Sequence, residues 1–336
     1  MIKDAIAKLI ERQPLTESEA EIVMLEIMEG QSTATQIASY VTALRMKGET
    51  VEEITGSARA MRAKAVRIRA ADPIVVDTCG TGGDGAGTFN VSTTVALVLA
   101  GGGLTVAKHG NRAISSRCGS ADVLRTLGVR IDLAPERVEA CLNEIGIGFL
   151  FAPTFHTAMK HAAATRQEIG IRTIFNLLGP LTNPAGASIQ ILGVYADALT
   201  ETLAKVLMNL GTRHCYVVHG QDGLDEITLT TRTRITEAKG SRITSYFIEP
   251  ADFGFERARL KDLSGGDVEE NARITRDILE GREGPRQRLV LINAAPAFVA
   301  TGKAATLQEG VERARAVIRS GAAMEKLESL IKWTNR

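Results

Sequence analysis

The densest group of residues that could do chemistry is the stretch DTCGTGGDGAGTFNVST at positions 77–93. It has five glycines within the eight residues 80–87, whereas an ordinary turn between a strand and a helix needs only about one or two. Glycines let the backbone approach a polyanion and offer its N–H groups, and a following helix adds the positive end of its dipole. The hydroxyls of Ser92 and Thr93 lie beside them. The stretch therefore predicts a loop that binds phosphate groups.

The same loop also fits the dinucleotide pattern G-x-G-x-x-G at Gly80, Gly82 and Gly85. A dinucleotide site needs an acidic residue about 20 positions later for the ribose, and none lies between Gly85 and Ala121. Asp84 is a further objection, because a bare carboxylate inside the loop would repel a pyrophosphate. A metal ion bridging the two removes that conflict, or the carboxylate serves a ribose hydroxyl. The dinucleotide site remains the weaker alternative.

A second polar run, KHGNRAISSRCGS at positions 108–120, follows the next strand-like segment. In a parallel sheet it would face the same crevice as the glycine loop, where open α/β sheets bind their ligands. It supplies cations and hydroxyl donors, the mixture that a phosphate-rich ligand needs: Lys108, Arg112, Arg117, Ser115, Ser116 and Ser120.

A third element is the acidic turn GQDGLDE at positions 220–226. Adjacent carboxylates in a turn are usually solvated surface groups that bind no ligand. Here they follow another strand, at the edge that also carries the two polar loops. Mg²⁺ binds a few carboxylates and keeps its remaining positions for phosphates and water, so Asp225 and Glu226 are candidate magnesium ligands.

Other chemical candidates are less informative. Arg166 lies late in a predicted helix and either caps it or binds a substrate carboxylate with both of its N–H edges. Cys79 could act as a nucleophile, but a small buried thiol at a strand end is the simpler interpretation. His156 and His161 are five residues apart, which misaligns them for a shared metal on one helix face.

The elements that must position these residues fall into two groups. The first ~70 residues carry three helix-start patterns, Thr16 with Glu19, Thr33 with Gln36 and Thr50 with Glu53, and predict about four short helices. From 71–73 onward, strand-like and helical segments alternate, which predicts an α/β domain with a mostly parallel sheet. The predicted strands are 74–79, 104–108, 147–151, 188–195 and 214–219. The predicted helices are 91–101, 120–128, 135–146, 155–169 and 197–210.

Three later segments depart from the alternation. Residues 229–248 predict an antiparallel excursion with a turn at Lys239-Gly240. The stretch 170–187 combines an apolar run with prolines and glycines, which predicts a shaped loop that crosses back to the helical part. The tail 267–336 is mostly helical, with one candidate strand at 288–293.

Composition excludes several classes of protein. The 336 residues include 40 Lys and Arg and 39 Asp and Glu. The formal net charge is therefore only +1, which does not favour binding to nucleic acid or anionic lipid. No apolar run approaches the ~18 residues of a membrane span, and the N-terminus does not resemble a signal peptide. The four cysteines lack C-x-x-C spacing, which is typical of reduced thiols in a cytoplasmic protein.

Together these blocks, with IRTIFNLLGPLTNPA at 171–185, resemble the anthranilate phosphoribosyltransferases of tryptophan biosynthesis. The resemblance covers nearly the whole chain. It implies a nucleoside-phosphorylase-like fold: a helical domain, residues 1–71, completed by a segment near 165–187, and an α/β catalytic domain, residues 72–336. It also implies a homodimer formed through the helical domain.

The resemblance assigns roles by position. Contacts to phosphoribosyl pyrophosphate (PRPP) fall on Gly80, Gly83, Asp84, Thr88, Asn90, Val91, Ser92, Thr93, Lys108, His109, Gly110, Asn111, Arg112, Ala113, Ile114, Ser115, Ser116 and Ser120. The resemblance also implies that Ser92, Asp225 and Glu226 hold two Mg²⁺ ions per subunit. The anthranilate site falls on Gly80, Asn111, Arg166, His109 and Pro180. Lys108 joins Asp225 and Glu226 as the groups expected to support catalysis.

The implied reaction transfers the phosphoribosyl group of PRPP to the amino group of anthranilate, the second step of tryptophan synthesis from chorismate. Two other functions remain open. A pyrimidine nucleoside phosphorylase has the same architecture but uses inorganic phosphate and needs no Mg²⁺. A non-catalytic relative would bind nucleic acid through surface patches, which the near-neutral charge disfavours.

Overall fold

The N-terminal part is built from four helices, as the sequence predicts. The computed structural model describes residues 1–83, 85–113 and 118–336. The helices are α1 (Ile2–Ile10), α2 (Glu17–Met28), α3 (Ala34–Lys47) and α4 (Val51–Lys64).

All three predicted helix starts are confirmed. Thr16, Thr33 and Thr50 each accept a hydrogen bond from the backbone N–H three residues later, and the side chain at that position bonds back to the threonine amide. Such a cap stabilises a helix by about 1 kcal/mol. The fully buried Glu53 also accepts bonds from the Leu15 amide and the Lys47 ammonium, both at 2.9 Å, so one side chain ties three segments together.

A seven-stranded sheet forms the centre of the larger part. Its strands are β1 (Val75–Gly80), β2 (Thr105–Gly110), β3 (Ile147–Phe151), β4 (Ile189–Gly193), β5 (His214–Gly220), β6 (Thr233–Lys239) and β7 (Arg242–Ile248). Their order is β3-β2-β1-β4-β5-β6-β7. The first five run parallel, and β6 and β7 form the predicted antiparallel excursion. The chain leaves β1 towards β2 and later returns to β1's other side as β4. The ends of β1 and β4 therefore form a topological switch point, where α/β sheets bind ligands.

Eleven further helices are present in the described ranges after residue 85: α5 (Val91–Gly101), α6 (Ser120–Thr126), α7 (Pro135–Ile145), α8 (Ala152–Phe155), α9 (Lys160–Ile169), α10 (Ile174–Leu178), α11 (Leu199–Asn209), α12 (Val268–Leu279), α13 (Pro285–Ala300), α14 (Leu307–Arg319) and α15 (Ala322–Thr334). The buried core on one face of the sheet includes α5 and α12 to α15. A second core joins the other face to α11 and the N-terminal helices. Helix α9 packs on α2 and α3, and α10 packs on α3 and α4.

Three sequence predictions are wrong in detail. The helix predicted over 155–169 is broken at His156, whose backbone (φ −115°, ψ 56°) is not helical and whose side chain turns inward. The loop predicted over 170–187 contains α10 and a 3₁₀ turn at Gly179–Leu181, and Asn176 Oδ1 accepts the Thr173 amide at 3.0 Å at the start of α10. The strand predicted at 288–293 lies inside α13. A short apolar run that is buried on all sides has no hydrophobic periodicity that would distinguish a helix from a strand.

No helix in the described ranges combines the length and the apolar character that a bilayer crossing requires.

Candidate functional site

The site is organised by the switch point between β1 and β4. Gly80 ends β1 opposite Gly193, which ends β4. The next residue, Thr81, donates its amide to the Gly193 carbonyl oxygen at 2.9 Å. One step further, the Gly82 amide donates to Asp225 Oδ2 at 2.8 Å. The glycine loop and the acidic turn, separate in sequence, therefore meet directly above this pair of strand ends.

Asp225 approaches both strand ends closely, its side chain at Gly80 and its backbone at Gly193, and the backbone contact leaves no room for a side chain at Gly193. A Cβ on Gly80 would lie 2.4 Å from Asp225 Oδ2, and one on Gly193 would lie 1.6 Å from the Asp225 carbonyl oxygen. Ordinary contacts of a Cβ begin at about 3.4 Å. The sequence pattern marks Gly80 as part of a loop but gives no sign that Gly193 also belongs to the site.

The shape of the glycine loop explains its composition. Gly82, Gly83, Gly85 and Gly87 all adopt φ between +63° and +74°, a region that other residues enter only with strain. The far end of the loop is anchored by a bridge between Thr88 and Ser264, and by the Gly265 amide, which donates to the Gly87 carbonyl oxygen at 2.9 Å. The glycine loop is thus anchored at both ends, at Gly82 by Asp225 and at Gly87 and Thr88 by the 264–265 segment.

The second polar loop is tied to the first by Asn90. This residue precedes α5 but does not cap it with its side chain. Its Nδ2 donates to the Cys118 carbonyl oxygen at 3.2 Å, and its Oδ1 accepts from Asn271 Nδ2 at 3.2 Å. Asn90 therefore links the glycine loop, the second loop and helix α12, and Asn271 is a positioning residue that the sequence did not suggest.

Within the second loop, short contacts fix the chain after β2. The Asn111 amide donates to Ser120 Oγ, and a Cβ on Gly110 would lie 2.2 Å from that oxygen. Asp122 Oδ2 accepts from the amides of Ala113 at 3.1 Å and Gly119 at 3.0 Å. The carboxylate thus links Ala113 to Gly119. The predicted site residues Asp84, Ile114, Ser115 and Ser116, and the candidate cation Arg117, lie outside the described residues.

The acidic turn is held in place by polar side chains that the sequence motifs do not mark as part of the site. Asp222 accepts hydrogen bonds from the hydroxyls of Thr228, at 2.6 Å, and Thr230. Behind the turn, the buried Asn293 exchanges two 2.8 Å bonds with the backbone of Ile227. These bonds hold the backbone on both sides of Asp225 and Glu226. The first Asp of the DGLDE motif was the available signal for this support.

Lys108 lies beneath the glycine loop. Its side chain is 4% exposed, and Nζ donates to the carbonyl oxygens of Thr78 at 2.6 Å and His109 at 3.3 Å. It is also the main favourable charge for the fully buried Asp77, whose carboxyl pKa is raised by burial and lowered in part by Lys108. The ammonium therefore brings positive charge under the loop while most of its N–H groups are already bonded.

A pair of buried histidines lies next to Pro180. The rings of His109 and His156 are 5.1 Å apart between centroids. Burial lowers the pKa of His109 well below its ordinary value and that of His156 to about 4, so both are neutral near pH 7. Their rings bond to the backbone of Gly179 and Thr182, respectively, which leaves Nε2 of each without a partner among the described residues. The two buried rings therefore place polar but uncharged nitrogen atoms beside the Gly179–Leu181 turn.

Arg166 lies on α9 and faces α10. Its guanidinium carbon is 5.2 Å from the ring centroid of Phe175, and burial lowers its pKa. Among the described residues no carboxylate forms an ion pair with it, so its N–H edges can meet a substrate carboxylate.

The predicted site residues differ in their position along the loop and in their exposure. Gly80, Gly83, Thr88, Asn90 and Ser92 lie along the loop or at its helix end, and Ser92 is partly exposed. Val91 and Thr93 are buried at the start of α5. Arg112 is exposed, 5.7 Å from the ring centroid of Phe151. Cys79 is buried and accepts a bond from Gln190, and burial raises its thiol pKa well above the ordinary value, which disfavours a nucleophilic role.

The residues of the acidic turn fit a magnesium ion by their chemistry. Asp225 and Glu226 offer carboxylate oxygens and Ser92 a hydroxyl, the hard donors that Mg²⁺ prefers. The Gly82 amide already orients one carboxylate. In the described part of the chain no three acidic, histidine or cysteine side chains converge.

Comparison with known proteins agrees with this architecture. Residues 72–324 match the α/β domain of a glycosyl transferase family, and residues 3–65 match the helical bundle domain of the same family. The anthranilate phosphoribosyltransferase of Geobacter sulfurreducens is 56% identical over 349 residues, with 100% of both chains covered. That of Syntrophobacter fumaroxidans is 54% identical over 335 residues, covering 100% of this chain and 99% of the relative.

Solved structures give the same result. The crystal structure of anthranilate phosphoribosyltransferase from Thermus thermophilus superposes with a TM-score of 0.94 at 45% identity, covering 99% of this chain and 100% of that one. The Saccharomyces cerevisiae enzyme in complex with PRPP and Mg has a TM-score of 0.91 at 30% identity, covering 99% of this chain and 98% of that one.

Proposed function

We propose phosphoribosyl transfer to anthranilate as the function of this chain, because the chain belongs to the anthranilate phosphoribosyltransferase family. The observation that carries the proposal is the meeting of the glycine loop with the acidic turn, through the 2.8 Å bond between the Gly82 amide and Asp225. Backbone donors and carboxylates side by side at a switch point suit a metal-bound diphosphate.

In the proposed reaction, the amino nitrogen of anthranilate forms a bond to C1 of the ribose while the bond from C1 to the pyrophosphate oxygen breaks. The pyrophosphate leaves with the electron pair, and the amine loses a proton. An arylamine is largely neutral near pH 7, so its lone pair needs no base to expose it. The demand on the protein is therefore to stabilise negative charge on the leaving group and to align the two substrates.

The two polar loops would stabilise the negative charge on the leaving group. Loop amides between Gly80 and Thr88 would donate to the phosphate oxygens, and the start of α5 adds its dipole. Lys108 adds fixed positive charge from below. These groups are already oriented by the contacts described above, so little reorganisation is needed when charge develops on the pyrophosphate.

Asp225, Glu226 and Ser92 would hold Mg²⁺, and two ions per subunit are the expected number. When bound, the metal neutralises charge on the phosphate oxygens.

Anthranilate would lie on the side of α9 and the Gly179–Leu181 turn. Arg166 can bind its carboxylate with parallel N–H bonds, and the Asn111 side chain can donate a further hydrogen bond. The neutral rings of His109 and His156, with Pro180, would form the walls around the aromatic ring. Because neither histidine is charged, the pocket attracts the substrate through Arg166 rather than through a general field.

The helical part is proposed as the dimer interface of a cytoplasmic enzyme. Residues 165–187 complete it, since α9 and α10 pack on α2, α3 and α4. Sedimentation of the purified chain tests the dimer: one species of twice the chain mass is expected, and a monomer at all concentrations would contradict it.

The experiment that tests the function mixes the chain with PRPP, Mg²⁺ and anthranilate and follows the loss of anthranilate fluorescence. The expected result is a decrease that requires all three components and releases pyrophosphate. Phosphorolysis of thymidine or uridine is measured in parallel. No fluorescence change, together with nucleoside cleavage, would assign the chain to the phosphorylase branch instead.

A further inference from the structure

Arg172 is an exposed cation beside the glycine loop that no role so far includes. It lies in the connection between α9 and α10. A Cβ placed on Gly83 would lie 3.0 Å from Arg172 Nη2 and 3.1 Å from its Nε, so the guanidinium rests against the loop.

The guanidinium is held in place by an aromatic face. Its central carbon is 4.4 Å from the ring centroid of Tyr195, the second residue after β4. The Tyr195 amide in turn donates to Thr81 Oγ1 at 3.2 Å. Stacking uses the flat face of the guanidinium and leaves its N–H edges available. Tyr195 thus orients the cation against the same loop to which it is itself bonded.

Arg172 has no charged partner among the residues that the structure describes. In the described ranges no side chain forms a hydrogen bond or an ion pair with it, although the chain forms many surface ion pairs elsewhere. An exposed, oriented guanidinium beside a polyanion-binding loop is suited to bidentate contact with phosphate oxygens.

We propose that Arg172 is a further binding group for the diphosphate of the substrate and of the released product. The proposal rests on the function proposed above. It adds a cation from the α9–α10 connection to a site otherwise built from the ends of β1, β2 and β5. Since that connection directly follows the helix that carries Arg166, one segment would then contact both substrates.

The test compares two matched variants of the full chain. In Arg172→Gln a planar amide remains to cover Tyr195 while the charge is lost. The control is Arg137→Gln, because Arg137 is also exposed and lies 4.4 Å from the ring centroid of Trp333, between α7 and α15. Calorimetric titration with Mg²⁺ and pyrophosphate measures the affinity directly, and steady-state kinetics give KM for PRPP and for anthranilate.

The expected result is a loss of pyrophosphate affinity of about tenfold in Arg172→Gln, with a matching rise in the PRPP KM, because one charge-assisted hydrogen-bonding group is removed. The anthranilate KM should be unchanged, and Arg137→Gln should behave as the wild type. Pyrophosphate affinity equal in both variants would overturn the proposal. So would an equal loss for anthranilate, since that would indicate a general distortion, and so would a wild-type chain that does not bind Mg²⁺ and pyrophosphate.

The titration needs no anthranilate, so the two proposals fail separately. Wild-type binding of pyrophosphate that Arg172→Gln weakens, without any transfer to anthranilate, would contradict the proposed reaction and support the role of Arg172. Transfer by the wild type with unchanged pyrophosphate binding in Arg172→Gln would contradict the role of Arg172 alone.

Discussion

Replacement of Gly193 by alanine should displace the acidic turn while leaving the sheet intact. The new Cβ would lie 1.6 Å from the Asp225 carbonyl oxygen and 2.5 Å from its carbonyl carbon, where about 3.4 Å is the ordinary lower limit. Both groups are backbone, so no side-chain rotation relieves the overlap. The turn must therefore retreat by roughly 2 Å, which in turn breaks the bond between Asp225 and the Gly82 amide.

The size of the effect follows from this displacement. A misplacement of about 1 Å in a catalytic arrangement can cost roughly 10²-fold in rate. We therefore expect kcat/KM for PRPP to fall at least about 10²-fold, equivalent to about 2.7 kcal/mol of transition-state stabilisation. The Mg²⁺ concentration for half-maximal rate should rise as well. Overpacking should lower the free energy of unfolding by only about 1–3 kcal/mol.

The assay is anthranilate fluorescence at varied Mg²⁺ and PRPP, with urea unfolding to confirm the fold. Gly148→Ala is the matched control, because Gly148 is a strand glycine of the same sheet whose Cβ would meet Leu142 and Val138 at 3.3 and 3.4 Å. It should keep near wild-type kinetics. If Gly193→Ala were as active as this control, with an unchanged Mg²⁺ requirement, the account of the acidic turn would be refuted.

Three further changes test other parts of the site. Asp225→Asn combined with Glu226→Gln should raise the Mg²⁺ and PRPP requirements sharply, and unchanged steady-state kinetics would remove the metal assignment. Arg166→Ala should raise the anthranilate KM and leave the PRPP KM unaltered; the same KM for anthranilate would reject its role. His156 has a pKa of about 4 in the fold, whereas an unfolded histidine binds a proton below about 6.5. Stability should therefore fall between pH 6.5 and 4 by about 1.4 kcal/mol per pH unit, and urea unfolding of His156→Asn should show a flatter slope.

Much of the fold could be predicted because its signals are local. The three Thr-based helix starts and the alternation of strands and helices are read within a few residues, and they are present except that the helix predicted over 155–169 is broken at His156. The strand prediction at 288–293 is wrong because its apolar residues are buried within α13, and periodicity cannot distinguish a buried helix segment from a buried strand.

The site was predictable in its loops but not in its supports. Glycine density marked the loop, and the positive φ angles explain why. The contacts that hold it are long-range: Asn271 bonds Asn90 across 181 positions, and Asn293 supports Ile227 across 66. Nothing in the local sequence of either asparagine indicates such a partner. The burial of Lys108 likewise depends on tertiary packing.

The central claim is that the glycine loop and the acidic turn hold one metal-bound diphosphate. Its most direct test is the anomalous density of Mn²⁺, which prefers the same oxygen donors as Mg²⁺, in crystals of this chain soaked with Mn²⁺ and PRPP. The account predicts peaks bonded to the carboxylates of Asp225 and Glu226 and to oxygens of a diphosphate that lies on the amides of 80–88. A diphosphate bound elsewhere, or manganese peaks away from both carboxylates, would contradict it.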